Sequence, residues 1–260
     1  MEILENNLQK NNLLESQKLL ELARVDSKIL EVRNLSISCG GEKILDNISF
    51  SLEGADNLVI LGPNGAGKSM LLKALLGVLS FGGGDVAVSG YIKWKDDVKI
   101  GYVPQKISPE KNFPLSVEEF FKIKKIKKEE AISLLNMVGI KDERFIKKQI
   151  SKISSGQFQR LLVAWSLAGK PDVILMDEPT AGIDVGGEET IYNLIAGIDK
   201  EKKLSIILVT HDLSVVYKFA DNVLCLNKKL ICYGTPNDIV GSESLRKMYG
   251  EDVSLYKHEH

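Results

Sequence analysis

From Ile29 onward the chain is a run of short apolar segments separated by polar and glycine-rich breaks. Residues 30–35 and 44–52 carry strand patterning on either side of a Gly40-Gly41 turn. Leu58-Val59-Ile60-Leu61 is continuously apolar, the mark of a strand buried on both faces. Residues 70–79 follow with helical spacing. Residues 86–94 and 98–103 read as two further strands, the second closed by Pro104. From 116 to about 166 the pattern is helical and charged. Strand-like runs return at 173–176, 205–209, 222–226 and 230–233, with helical spacing at 190–198 and 213–219 between them. This alternation predicts an α/β core carrying a helical insertion at about 106–170.

The ends differ from this body. Residues 1–27 hold Leu4, Leu8, Leu13, Leu14, Leu19 and Leu20 and no glycine or proline, as one amphipathic helix would. The plain reading is a weakly packed leader, and the sharper one a docking helix. The chain thus divides into an extension, 1–27, a main domain, 28–245, and a tail, 246–260.

A length of 260 residues suits one large α/β domain or two small ones. A net charge of −1 gives no reason to expect nucleic acid as a partner, and 44% hydrophobic with 27% charged residues describes an ordinary globular protein. Cys39, Cys225 and Cys232 lack metal-type spacing and suit a reducing compartment. No apolar run approaches the roughly 18 residues of a membrane span, and no signal-peptide core is present. A cytoplasmic location follows, with any membrane role reached through a partner.

The chemistry begins directly after the 58–61 strand. Gly62-Pro63-Asn64-Gly65-Ala66-Gly67-Lys68-Ser69 fits the phosphate-binding loop G-x-x-x-x-G-K-[ST]. Glycines let successive N–H groups converge on anionic oxygens, and the helix opening near Met70 presents its positive end to them. Lys68 would reach the β- and γ-phosphates, and the Ser69 hydroxyl would ligate Mg²⁺. Strand, loop and helix in that order point to a bound nucleoside triphosphate. Val173-Ile174-Leu175-Met176-Asp177-Glu178 is a second buried strand, ending in two acids. Asp177 would hold Mg²⁺ through water, and Glu178 would orient and deprotonate the attacking water. Upstream, Ser154 in Ile153-Ser154-Ser155-Gly156-Gln157 can cap a helix over 158–168 that Gly169 stops, and the open N–H groups at its start form an anion site. Taken alone, Ser154 is simply a cap.

With these motifs in place the chain resembles the ATP-binding subunits of ABC transporters over about residues 29–240. The family's Leu-Ser-Gly-Gly-Gln signature appears here as Ile-Ser-Ser-Gly-Gln. Gln105, after Gly101-Tyr102-Val103-Pro104, matches the Q-loop glutamine, which senses Mg²⁺ and the attacking water. Asp184 matches the D-loop aspartate, and His211, after Ile206-Ile207-Leu208-Val209-Thr210, the switch histidine at the γ-phosphate. The resemblance implies a P-loop NTPase core of ABC type, with an antiparallel β subdomain and an inserted α-helical subdomain. It implies ATP and Mg²⁺ as ligands and a head-to-tail dimer, in which each ATP lies between the phosphate loop of one copy and the signature, Ser154, Ser155, Gly156 and Gln157, of the other. Closure assembles the water, Glu178 and His211, and the barrier falls by electrostatic positioning.

Four departures stand out. Cys39 occupies the place of an adenine-stacking aromatic, a loss of about 1 kcal/mol unless Phe50 or another ring substitutes. Ser155 replaces a glycine, trading backbone freedom for a further hydroxyl donor. Val185 replaces a frequent proline, and the leader has no counterpart in the typical domain.

Phe113-Pro114-Leu115-Ser116-Val117-Glu118 resembles the segment found in subunits that serve zinc, manganese or iron importers, as does Ser-Ser-Gly-Gln-Phe-Gln-Arg at 154–160. In that family the 113–118 segment lines the groove that receives the permease. A plainer reading is a helix start, with Ser116 as N-cap and Glu119 completing a capping box. The implied partners are a transmembrane permease, a second ATP-binding subunit, as a homodimer, and indirectly a substrate-binding protein, on the inner face of the membrane. Import of another substrate (an iron chelate, haem or cobalamin) and a soluble non-transport ATPase are the alternatives. The tail's His258 and His260 read as a solvated end rather than a Zn²⁺ site, and Lys122, Lys124, Lys125, Lys127 and Lys128 as a solvated helix face.

Overall fold

Two sheets organise the molecule. The computed structural model describes residues 28–79, 85–105, 114–180, 192, 197 and 204–239. The leader, Phe113, Asp184, Val185 and the histidine tail lie outside them. Strands β1 (Lys28–Cys39), β2 (Glu42–Glu53) and β4 (Val86–Trp94) form an antiparallel sheet in the order β2-β1-β4. Gly40 and Gly41 join β1 to β2 at φ +55° and +82°, the two positive dihedrals a tight hairpin of matching twist demands.

The second sheet has six strands. It is built from β3 (Asn57–Leu61), β5 (Ile100–Val103), β6 (Val173–Asp177), β7 (Ser205–Val209), β8 (Asn222–Asn227) and β9 (Lys229–Gly234) in the order β5-β6-β7-β3-β8-β9. Its pairs are parallel except β8–β9. All residues of β3, β6 and β7 are buried, which explains their unbroken apolar runs.

Period-two alternation sorts these side chains between two cores. Val59, Ile174, Met176, Ile206 and Leu208 face one core, shared with α2 (Val117–Ile123), α3 (Lys128–Met137), α4 (Ser155–Leu167) and α5 (Leu213–Phe219). Leu58, Ile60, Leu175, Ile207 and Val209 face the other, packed on the antiparallel sheet and on α1 (Lys68–Leu75). Helices α2 to α4 stand between β5 and β6 in the chain, and a four-residue helix, α6 (Pro236–Ile239), follows β9.

Element ends follow local chemistry. α1 stops at Leu75 rather than reaching 79, because Gly77 takes φ +68° and its N–H and that of Val78 satisfy the last carbonyls, Ala74 and Lys73. β5 begins at Ile100 rather than 98, after a turn in which Asp97 holds φ +60°. α4 begins at Ser155 rather than 158, because Ser154 and Gln157 close a capping box. Ser116 and Glu119 close another on α2.

The expectation of reduced thiols is corrected for two cysteines. Cys225 and Cys232 lie directly opposite on β8 and β9, 4.9 Å apart at Cα, and form a disulfide. Register across a hairpin brings them together, which spacing in the sequence does not announce. Cys39 is a free thiol.

Candidate active site

The carboxyl ends of β3, β6 and β7 are neighbours, so whatever follows each strand meets the others. The loop after β3 is held from beneath. A Cβ on Gly62 would collide with the Leu226 carbonyl of β8, and one on Gly67 would lie 2.5 Å from Leu45 Cδ2. Gly67 also takes φ +94° and Gly65 φ +80°. Both effects require glycine, and they let the loop lie against the hairpins without strain. Ala66 accepts a hydrogen bond from the Lys228 N–H, which ties the loop to the β8–β9 turn.

Lys68, at the first position of α1, is only 6% exposed. Its ammonium donates to the carbonyls of Gly62 (2.8 Å) and Pro63 (3.1 Å) and lies 3.7 Å from Glu178 Oε1. A buried ammonium so fixed is a preformed positive charge at the loop mouth. Ser69 Oγ donates to Asp177 Oδ1 at 3.1 Å. Gln105 Nε2 donates to Glu178 Oε2 at 2.9 Å. Lys68, Ser69, Gln105, Asp177 and Glu178 therefore form one cluster, assembled from three separate segments. Burial pushes the Asp177 carboxyl above its ordinary range; the Ser69 hydrogen bond opposes this, the Glu178 charge adds to it, and Lys68 and Lys73 oppose it.

Glu178 adopts φ +43°, a left-handed backbone that a side-chain-bearing residue rarely takes, while its N–H donates to the Val209 carbonyl at 3.0 Å. This turn, at the end of the β6–β7 ladder, puts two successive carboxylates to different uses. Asp177 stays in the strand against Ser69, and Glu178 leaves it toward Lys68 and Gln105.

His211 follows β7 and is exposed; among the described residues it makes no hydrogen bond to this cluster. Ser154 and Gln157 cap α4 reciprocally at 3.2 Å in each direction, with Ser155 exposed and open space around Gly156. The described structure makes no hydrogen bond between these four residues and the phosphate loop. Met70 packs partly against the core beneath the antiparallel sheet. Asn64 and Gly65 are exposed at the crest of the loop. Cys39 is half-buried at the end of β1, and Phe50 cannot stand in for a ring there: it is buried and pairs with Val32, well down the strand.

Several neighbours of the site carry no motif signal. Tyr102, on β5, lies near enough to Asp177 that its phenol is pushed up by burial and by that carboxylate's charge. Thr180, Tyr192 and Thr210 join their hydroxyls, two of them on the segments that carry Glu178 and His211. Only alternation along β5 could have hinted at Tyr102, and nothing local at the hydroxyl group.

The model of the ABC transporter family matches residues 45–181. The chain belongs to the ABC transporter family. Among its relatives is the zinc import ATP-binding protein ZnuC of Wigglesworthia glossinidia brevipalpis, 38% identical over 237 residues that cover 89% of this chain and 99% of that protein. The protein of the same name from Photorhabdus laumondii subsp. laumondii is 35% identical over 239 residues, 90% of each chain. Among solved structures, CbiO1 from Clostridium perfringens, part of the ABC transporter complex CbiONQ, superposes with a TM-score of 0.69 at 26% identity, covering 87% of this chain and 96% of that one. As an ABC ATPase the chain binds ATP and couples its hydrolysis to transport. Among the described residues no helix is long and apolar enough to cross a membrane.

Proposed function

We propose that this chain powers a zinc importer as a pair of identical ATPase subunits docked on a transmembrane permease, on the inner face of the membrane and served indirectly by a substrate-binding protein. The zinc relatives of high coverage, with Pro114-Leu115-Ser116-Val117 at the start of α2, support the cargo and the docking surface. The observation that carries the catalytic reading is the contact of Gln105 and Lys68 with the two oxygens of Glu178, beside the Ser69–Asp177 pair.

The donor set suits Mg²⁺. A hydroxyl and a buried carboxylate oxygen 3.1 Å apart are hard ligands of the type this ion selects, with Gln105 at the rim. When bound there, the ion would neutralise charge on the β- and γ-phosphates. Lys68 and the N–H groups of residues 64–70 hold the phosphates; Gln105 orients Glu178; Glu178 takes the proton of the attacking water. His211 contacts the γ-phosphate, and the partner copy brings Ser154, Ser155, Gly156, Gln157 and, through its Asp184 segment, the rest of the wall. The half-buried position of Cys39 leaves the base without a ring at the end of β1.

Glu178→Gln is the test. The amide keeps the Gln105 contact but cannot accept the proton, so turnover should fall roughly 10²–10⁴-fold while ATP binding persists and ATP-bound dimers accumulate on gel filtration. Normal hydrolysis by this variant contradicts the assignment. Loss of zinc uptake in cells carrying it, with uptake of other metals unaffected, checks the cargo.

A further inference from the structure

Beyond the last ladder bond between β6 and β7, the Glu178 N–H to the Val209 carbonyl, the two chains carry the residues read above as base and switch: Glu178 on one and His211 on the other. A side chain from a third element ties them together. The Tyr192 hydroxyl, on helical backbone, lies 3.1 Å from Thr180 Oγ1 and 3.2 Å from Thr210 Oγ1. Thr180 is two residues past Glu178, and Thr210 is one before His211. Both threonines are buried, at 6% and 2% exposure, so their hydroxyls depend on partners within the protein. Thr210 Oγ1 also accepts the Asp212 N–H at 3.0 Å, which extends the tie to the far side of His211.

We infer that Tyr192 is a positioning residue for hydrolysis: its hydroxyl bridges Thr180 to Thr210 and so sets the spacing of Glu178 from His211. The two contacts order the hydroxyls in one direction, from Thr180 through Tyr192 to Thr210 or the reverse, and in either sense Thr210 keeps a lone pair for the Asp212 N–H. Thr180 and Thr210 are short and rooted in separate strand ends, while Tyr192 arrives on a rigid ring packed against the core beneath α4 and α5. Removing the hydroxyl leaves the ring's packing intact and releases the two ends from each other. A shift of a fraction of an ångström between base and switch acts on the barrier, because both must meet one γ-phosphate and its water together. The phosphate grip of residues 62–69 has no part in the bridge, so binding should be spared.

The inference rests on the proposed roles of Glu178 and His211, and its test separates the two. In the purified full-length chain, Tyr192→Phe should lower kcat for ATP roughly tenfold while KM stays within about twofold. Tyr192→Phe combined with Thr210→Val should be no slower than the slower single variant, as residues acting as one unit behave. Thr180→Val should reproduce the loss and Thr180→Ser should restore most of it, which a packing role for the methyl would not allow. The Thr180 pair also keeps the inference open to refutation should Tyr192→Phe fail to fold. A kcat within twofold of wild type, additive losses, or equal behaviour of Thr180→Val and Thr180→Ser would overturn it. Glu178→Gln is run beside them. If it hydrolyses ATP normally, the catalytic reading itself fails; if it is inactive while Tyr192→Phe is normal, only the bridge is refuted.

Discussion

Asp177 shows that this site is built against the stability of the fold. The residue is 3% exposed, and its carboxyl is pushed above the ordinary value of 3.8 chiefly by burial. A carboxyl with a raised folded-state pKa costs nothing below its ordinary value, where it is neutral in both states. Its cost is fully felt once pH has risen through the folded-state value. Asp177→Asn removes the charge yet can still accept the Ser69 hydroxyl. Without nucleotide it should melt higher at neutral pH, by about 1 kcal/mol, or roughly 2–4 °C. The gain should vanish in acid, and Mg²⁺-dependent hydrolysis should be lost. Melting curves across pH check both halves; a variant less stable than wild type at neutral pH contradicts them. Cys39 offers a converse trade. Cys39→Tyr supplies a ring at the end of β1, which Phe50, buried opposite Val32, does not provide, and should tighten ATP binding roughly fivefold. Unchanged affinity in titration would mean that the base lies elsewhere.

At the scale of elements, α4 carries two readings of one residue. Ser154 and Gln157 satisfy each other as a capping box, which by itself accounts for both side chains. Ser154→Asp separates cap from anion site. Aspartate caps a helix as well as serine and is favoured by the helix dipole, so the fold should keep its melting temperature. The same charge repels phosphate, so ATP-driven dimerisation should fall roughly tenfold or more. If dimerisation persists, Ser154 is a cap and nothing else. The Ser116–Glu119 capping box, the Ser154 cap, the glycine turn and the fully buried strands were legible in the sequence because each rests on neighbours within a few residues. The end of α1 was not: the apolar Val78 and Leu79 extend the helical pattern, while Gly77, a stop signal in plain view, wins through its left-handed φ. Cys225–Cys232 and the Thr180–Tyr192–Thr210 bridge were not legible either, since both are made by register and packing rather than by any local pattern.

For the whole molecule, the decisive fact is what one chain does not bring together. The phosphate loop, Asp177, Glu178 and Gln105 converge, while 154–157 stand at the head of α4 with their own hydrogen bonds and, among the described residues, none to that cluster. Complementation between two defective chains tests whether a second copy completes the site. Lys68→Ala spoils the loop and spares the signature; Ser154→Asp does the reverse. A homodimer of either variant has a damaged half in both composite sites, and Ser154→Asp pairs weakly with itself. When the two are mixed, one site of the heterodimer joins both damaged halves and the other joins both intact ones. Pairing at random would make half the dimers mixed, and weak self-pairing raises that share, so about one quarter or more of the sites within dimers are wild-type, from two inactive preparations. Different affinity tags on the two variants report whether heterodimers have formed. Activity recovered in the doubly tagged fraction, and in neither parent, makes hydrolysis a property of the pair; a doubly tagged fraction that stays inactive assigns the whole site to the single chain.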